Sequence, residues 1–120
     1  MRDRRVLIMD DDESMRGVLL RFLARNGWQA VAASNAEAAM RVLKAAACFA
    51  AILDVESESS EDGFAAARKL LALEPALRVV MMSGNPIYAE RARAAGYPFL
   101  SKPFNLAELL NILGGAEQST

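Results

Sequence analysis

A chain of 120 residues fits one domain with a single core, and 53% hydrophobic residues can fill that core. Charged residues make up 24% and the net charge is −1, which excludes an electrostatic footprint for nucleic acid. No apolar run nears the roughly 20 residues of a membrane span, and the first apolar stretch is too short for a secretory signal.

Two further absences narrow the chemistry. Histidine is missing altogether, which removes Ser/His/Asp and Cys/His catalysis and most zinc sites. Any reaction must run on carboxylates, hydroxyls, lysine or a hard metal ion. The lone cysteine, Cys48, can form no internal disulfide and lies among alanines, so it reads as a small core residue in a reducing, cytoplasmic setting.

Apolar runs alternate with helix-period segments along the chain. The first run, 6–9, predicts a buried strand, and Asp10, Asp11 and Asp12 follow it directly. Met15, Val18, Leu19, Phe22 and Leu23 then form an i, i+3, i+4, i+7, i+8 stripe, a helix that Asn26 and Gly27 would end. A weaker strand spans 28–32. Ser34 and Glu37 have capping-box spacing, predicting a helix from there to about Ala46 with Ser34 as its cap. A third strand covers 49–53 and stops at Asp54. The polar stretch "VESESSEDG" leads to a helix over 64–73, closed before Pro75.

The next strand spans 77–82. "SGNP" turns the chain, and Pro86 suits the first position of a fourth helix ending at Gly96. A short strand over 98–100 precedes "SKPFN", where Asn105 caps the last helix and Phe104 and Leu109 stand at staple positions. The last residues, "GGAEQST", predict a mobile tail. These are five strand–helix units without internal repeat, which implies a parallel sheet covered on both faces. The runs at 6–9, 49–53 and 77–82 are apolar throughout, as strands buried on both sides should be.

Ligands of open α/β sheets bind beyond the carboxyl ends of the strands. There the sequence puts Asp10 and Asp11, then Asp54, then Ser83, then Ser101 and Lys102. Two carboxylates 4 Å apart repel by about 4 kcal/mol at an effective dielectric near 20, so a positive group must stand among them. Each residue has a plainer use. Asp10, Asp11 and Asp12 suit a helix N-terminus, Asp54 or Ser83 a turn, and Lys102 a solvated loop. Their shared placement is what carries weight.

In "VLIMDD", "AILD", "VVMMSG" and "FLSKPF" the chain resembles a bacterial two-component response-regulator receiver domain, of the chemotaxis-regulator-like superfamily, over residues 4 to about 113. The resemblance implies a doubly wound (βα)5 flavodoxin-like fold with a five-stranded parallel sheet of order 2-1-3-4-5. It implies one receiver domain over 1–120, with a core at 4–113 and a flexible tail at 114–120. By the same resemblance Asp54 is the phosphoacceptor, a carboxylate nucleophile forming an acyl phosphate. Mg²⁺, with Mn²⁺ as substitute, would be held by Asp11 and Asp54 directly, by the backbone carbonyl of Glu56, and by Asp10 through water. Lys102 would pair with Asp54 at rest and with a phosphoryl oxygen afterwards. Ser83 would bond another phosphoryl oxygen, and the Lys102–Pro103 bond would be cis.

Implied partners are a histidine kinase or phosphotransfer protein as donor, and a downstream protein or linked output domain, with no direct contact to nucleic acid or membrane. Signalling would draw Ser83 inward and turn Phe99 in behind it, altering the face of the fourth helix, fifth strand and fifth helix, with phosphorylation-dependent dimerisation as one output. Phe99 suits a plain core position equally well, and the spacing of Tyr97 to Lys102 is wrong for the switch.

The chain departs from the family pattern after Asp54. The family carries a proline four residues past the acceptor and a glycine eight past it; here Glu58 and, nine past, Gly63 stand instead. The loop is one residue longer, proline-free and acidic, with Glu56, Glu58, Glu61 and Asp62. It should be more mobile, and its charge should strengthen cation binding or slow an anionic donor. Glu56 and Asn85, each two positions beyond a site residue, should tune the lifetime of the acyl phosphate. Two other readings stay open: a pseudo-receiver that signals without phosphorylation, and a phosphatase of the haloacid dehalogenase type with Asp10 as nucleophile. The latter usually needs a longer chain and a late acidic motif. The chain suits either a stand-alone regulator or part of a longer protein.

Overall fold

The computed structural model describes residues 4–56 and 62–118. Five strands, β1 (Arg5–Met9), β2 (Gln29–Ala33), β3 (Ala50–Asp54), β4 (Arg78–Ser83) and β5 (Phe99–Ser101), alternate with α1 (Glu13–Arg25), α2 (Ala36–Ala45), α3 (Gly63–Leu73), α4 (Tyr88–Ala94) and α5 (Leu106–Gln118). The strands form one sheet in the order β2-β1-β3-β4-β5, every neighbouring pair parallel. The expected doubly wound α/β fold and strand order are both present.

Side chains alternate across the sheet, as the pleat requires. Leu7, Met9, Ala51, Leu53, Val79 and Met81 meet α2, α3 and α4 on one face. Val6, Ile8, Ala50, Ile52, Val80 and Met82 meet Leu19 and Leu23 of α1 and Leu109 and Leu113 of α5 on the other. This double burial is why the three central strands carry polar residues only at their ends. Cys48 lies fully buried in the first layer as a free thiol, its pKa raised by burial.

Several boundaries differ from expectation for local reasons. The cap of α2 is Asn35, whose carboxamide oxygen accepts from Ala38 N at 2.8 Å, while Glu37 pairs with Arg41 at 3.0 Å. Asn35 suits an N-cap as well as Ser34 does, and only the backbone path decides between neighbours. Pro86 precedes α4 in a turn, where Tyr88 N donates to Asn85 O and Ala89 N to Pro86 O. The helix is therefore seven residues long. Val18 of the predicted apolar stripe is 43% exposed, because α1 crosses the sheet on Leu19 and Leu23. The backbone of α5 runs helically to Gln118, through most of the segment predicted as a mobile tail.

Candidate functional site

The end of β1 turns into α1 through the three aspartates, and each is placed differently. Asp10 is buried, its Oδ1 accepting from Asp12 N at 2.9 Å and its backbone carbonyl from Arg16 Nη1 at 2.8 Å. Asp11 is exposed at the rim. Asp12 is the N-cap of α1, its Oδ1 accepting from Ser14 N at 2.9 Å and Met15 N at 3.3 Å. Acidic side chains are favourable at that end of a helix, so the third aspartate needs no role in the pocket.

Asp54, the last residue of β3, is also buried, and its carboxylate joins those of Asp10 and Asp11. One oxygen from each of the three lies within 4.8 Å of the others. An all-oxygen anionic donor set of this size fits a hard divalent cation such as Mg²⁺. Across the cluster stands Lys102, in the turn after β5, where the peptide bond to Pro103 is cis. Its Nζ lies 3.0 Å from Asp10 Oδ2 and 3.5 Å from Asp54 Oδ2. The lysine thus serves two carboxylates: it meets Asp54, as the family resemblance implies, and approaches Asp10 more closely. The Asp12 amide holds one Asp10 oxygen and leaves the other aimed at the ammonium.

Electrostatics follow from this geometry. Burial pushes the Asp54 carboxyl up from its ordinary 3.8 to about 6; Lys102 pulls against the rise, and Asp10 and Asp11 add to it. Burial alone would lower the Lys102 pKa, but the hydrogen bond to Asp10 and the charges of Asp54 and Asp10 outweigh it and raise it. Near neutral pH Asp54 is therefore mostly ionised, beside a lysine held in its protonated form.

Ser83 ends β4 in full burial. Its hydroxyl donates to Glu56 Oε1 at 3.0 Å and accepts from Asn85 N at 3.0 Å. The Asn85 side chain turns away, its Oδ1 accepting from Ile87 N at 3.1 Å. Phe99, at the start of β5, is half-buried against the sheet layer that includes Met81. Phe64 at the start of α3 stacks on Tyr97 at 6.5 Å, approaches Tyr88 at 6.4 Å and lies under the Arg91 guanidinium at 4.1 Å. No local sequence signal marks that cluster, because its members are scattered over 34 positions of sequence.

Gly63 explains why α3 can start where it does. A Cβ there would lie 2.5 Å from the Asp54 carbonyl oxygen and 3.0 Å from Met81 Cε, and Gly63 N donates to Val55 O at 3.0 Å. The helix is anchored against the backbone of Asp54 itself, and Asp62 caps it through Ala65 N at 2.8 Å. Residues 57–61, where greater mobility and extra charge were expected, lie outside the described residues. The contact between Glu56 and Ser83 likewise has no signal in the sequence. Two positions past Asp54 marked Glu56 as adjacent, but only strand pairing shows that it faces the end of β4.

Compared with known proteins, residues 6–114 match the family model described as the response regulator receiver domain. The chain is similar to a putative NtrX-like response regulator of Rickettsia felis, 30% identical over 119 residues, which are 96% of this chain and 25% of the relative. The chain spans about a quarter of the length of the curated relatives it matches first. Among solved structures it resembles the receiver domain of NtrX from Brucella abortus, with TM-score 0.86 and 28% identity, covering 96% of this chain and 99% of that one. It also resembles the response regulator TrrA of Thermotoga maritima, solved in complex with Mg²⁺-BeF, with TM-score 0.82 and coverage of 98% and 99%. Identity there is 20%, so that likeness shows the fold alone.

Proposed function

The chain belongs to the response regulator receiver domain family, and from that premise we propose that Asp54 accepts a phosphoryl group from a histidine kinase or phosphotransfer protein. The observation that carries this reading is the meeting of Asp10, Asp11, Asp54 and Lys102 in one pocket at the carboxyl edge of the sheet. Ser83 stands beside it at the end of the neighbouring strand.

Each residue has a task in such a transfer. An oxygen of ionised Asp54 attacks phosphorus, the bond from phosphorus to the donor breaks, and the leaving group takes the electron pair. With a pKa of about 6, Asp54 is mostly ionised at pH 7 yet poorly solvated, which suits a nucleophile. Lys102 stays protonated and offers its charge to a phosphoryl oxygen. Ser83 supplies a hydroxyl to another. Asp11, Asp54 and the Glu56 backbone carbonyl would hold Mg²⁺, or Mn²⁺ in its place, with Asp10 acting through water. When bound, the cation supplies charge neutralisation and orientation of the phosphoryl oxygens. Asp10 is poorly placed as a nucleophile itself, since both its oxygens are engaged and its side chain is buried.

The signal would leave through α4, β5 and α5, toward a downstream protein, a linked output domain or a second copy. Phe99 borders this face, and Glu56 and Asn85 flank Ser83, where they would tune acyl-phosphate lifetime. No helix among the described residues is long and apolar enough to cross a membrane. Incubation with Mg²⁺ and acetyl phosphate or phosphoramidate, followed by mapping of base-labile phosphate, tests the proposal. Label on Asp54 supports it. Label on Asp10 would turn the reading to a phosphatase, and no label together with no response to beryllofluoride would turn it to a pseudo-receiver.

A further inference from the structure

We propose that the Glu56 side chain is a latch: by accepting the only hydroxyl proton of Ser83, it withholds that hydroxyl from the phosphoryl site and opposes the phosphorylated conformation. The inference rests on the reading of Asp54 as phosphoacceptor, and it assigns Glu56 a positioning role distinct from any contact with water or metal.

The argument begins with the hydrogen-bond inventory of a serine. A hydroxyl donates once and accepts up to twice. Ser83 is fully buried, so its proton cannot turn to bulk water. The proton is committed to Glu56 Oε1 at 3.0 Å, and the Asn85 amide holds the oxygen from the far side at 3.0 Å. A phosphoryl oxygen on Asp54 would need the same proton. The two bonds are mutually exclusive, so the free energy of one is subtracted from the other.

Strand register makes the latch possible. Asp54 pairs with Met82, and Val55 N donates to Met82 O at 2.9 Å, which brings the residue after Val55 beside Ser83. Glu56 is itself exposed. Its carboxylate can therefore return to water on release, which keeps the latch reversible. Hydrogen bonds to a charged acceptor are stronger than neutral ones, so the resting arrangement is favoured until a phosphoryl group competes.

The test is the affinity of the whole chain for beryllofluoride at saturating Mg²⁺, measured by calorimetry. Removing Glu56 also removes a negative charge near an anionic ligand, so charge and latch must be separated. Glu56→Ala is expected to tighten beryllofluoride binding about tenfold, while Glu56→Gln, which keeps an acceptor for Ser83, stays within about threefold of the parent. In a Ser83→Ala background the gain from Glu56→Ala should fall below about twofold, and in a Ser83→Thr background, which restores a hydroxyl, it should return. Equal tightening by Ala and Gln, or a gain that persists without a hydroxyl at position 83, would mean charge alone and overturns the latch. An Asp54→Asn control reads the underlying function separately. If the parent binds beryllofluoride no better than this variant, the phosphoacceptor reading falls and the latch with it.

Discussion

Asp10, Asp11 and Asp12 follow β1, and a second acidic run begins with Glu56 after β3, yet the two stretches meet different surroundings. In the first, a partly buried ammonium stands opposite, one carboxylate is drawn to it, one stays at the rim and one caps a helix. In the second, Glu56 faces a buried hydroxyl and Asp62 caps α3. Similar composition therefore yields a carboxylate cluster able to hold a cation in one place and a hydrogen-bond acceptor in the other. What differs is the strand end across from each. Lys102 after β5 gathers charge, and Ser83 at the end of β4 offers a single proton.

The comparison breaks most completely at Asp54, the residue both stretches border. Asp54→Asn should abolish base-labile phosphate after treatment with acetyl phosphate and Mg²⁺, read by mass spectrometry. The same change should stabilise the metal-free protein. The folded pKa of Asp54, about 6, lies above its ordinary 3.8. Its protonated form thus favours folding fully below pH 3.8, and that contribution is lost as pH rises through 6. The parent should weaken relative to Asp54→Asn across this window, by up to about 3 kcal/mol at 1.36 kcal/mol per pKa unit. Urea midpoints of both proteins between pH 3.5 and 7 check it; a parent that gains stability on the variant through the window contradicts the assignment.

Lys102→Met tests the countercharge of the first stretch. It leaves Asp10 buried without its ammonium and should cost about 2 kcal/mol, less than a fully buried pair because Lys102 is partly exposed. Added Mg²⁺ should restore much of the loss, and thermal melts with and without the cation would show it. Gly63→Ala tests how the second stretch is anchored. A Cβ against the Asp54 carbonyl should cost about 1–3 kcal/mol by overpacking and should weaken phosphorylation, since the acceptor's own backbone must shift. Unchanged stability and labelling would show that α3 can start elsewhere. The smallest effects belong to the two caps: Asp12→Ala and Asp62→Ala should each cost about 1 kcal/mol in chemical denaturation. Asp12→Ala should leave phosphorylation unchanged, which sets it apart from Asp10 and Asp11.

Much of the fold and of the site is legible in the residue order. Apolar runs buried on both faces mark the central strands, because such strands tolerate no polar alternation. Residues at strand ends then fall on one edge as a matter of topology, so Asp10, Asp11, Asp54, Ser83 and Lys102 could be grouped by position alone. Boundaries were less legible where adjacent residues suit the same role, as with Ser34 and Asn35, or where an apolar position such as Val18 sits on the margin of a helix face.

By itself, then, the order of residues determined the architecture and the membership of the pocket, since both follow from periodicity and from which residue ends each strand. Only the tertiary structure decided the pairing within the pocket. Whether Lys102 leans to Asp10 or Asp54 depends on an amide at Asp12 that holds one carboxylate oxygen, and whether Ser83 is free depends on strand register that brings Glu56 within 3.0 Å. Hydrogen bonds are set by tenths of an ångström and by angles between elements far apart in sequence, and linear spacing carries no record of either.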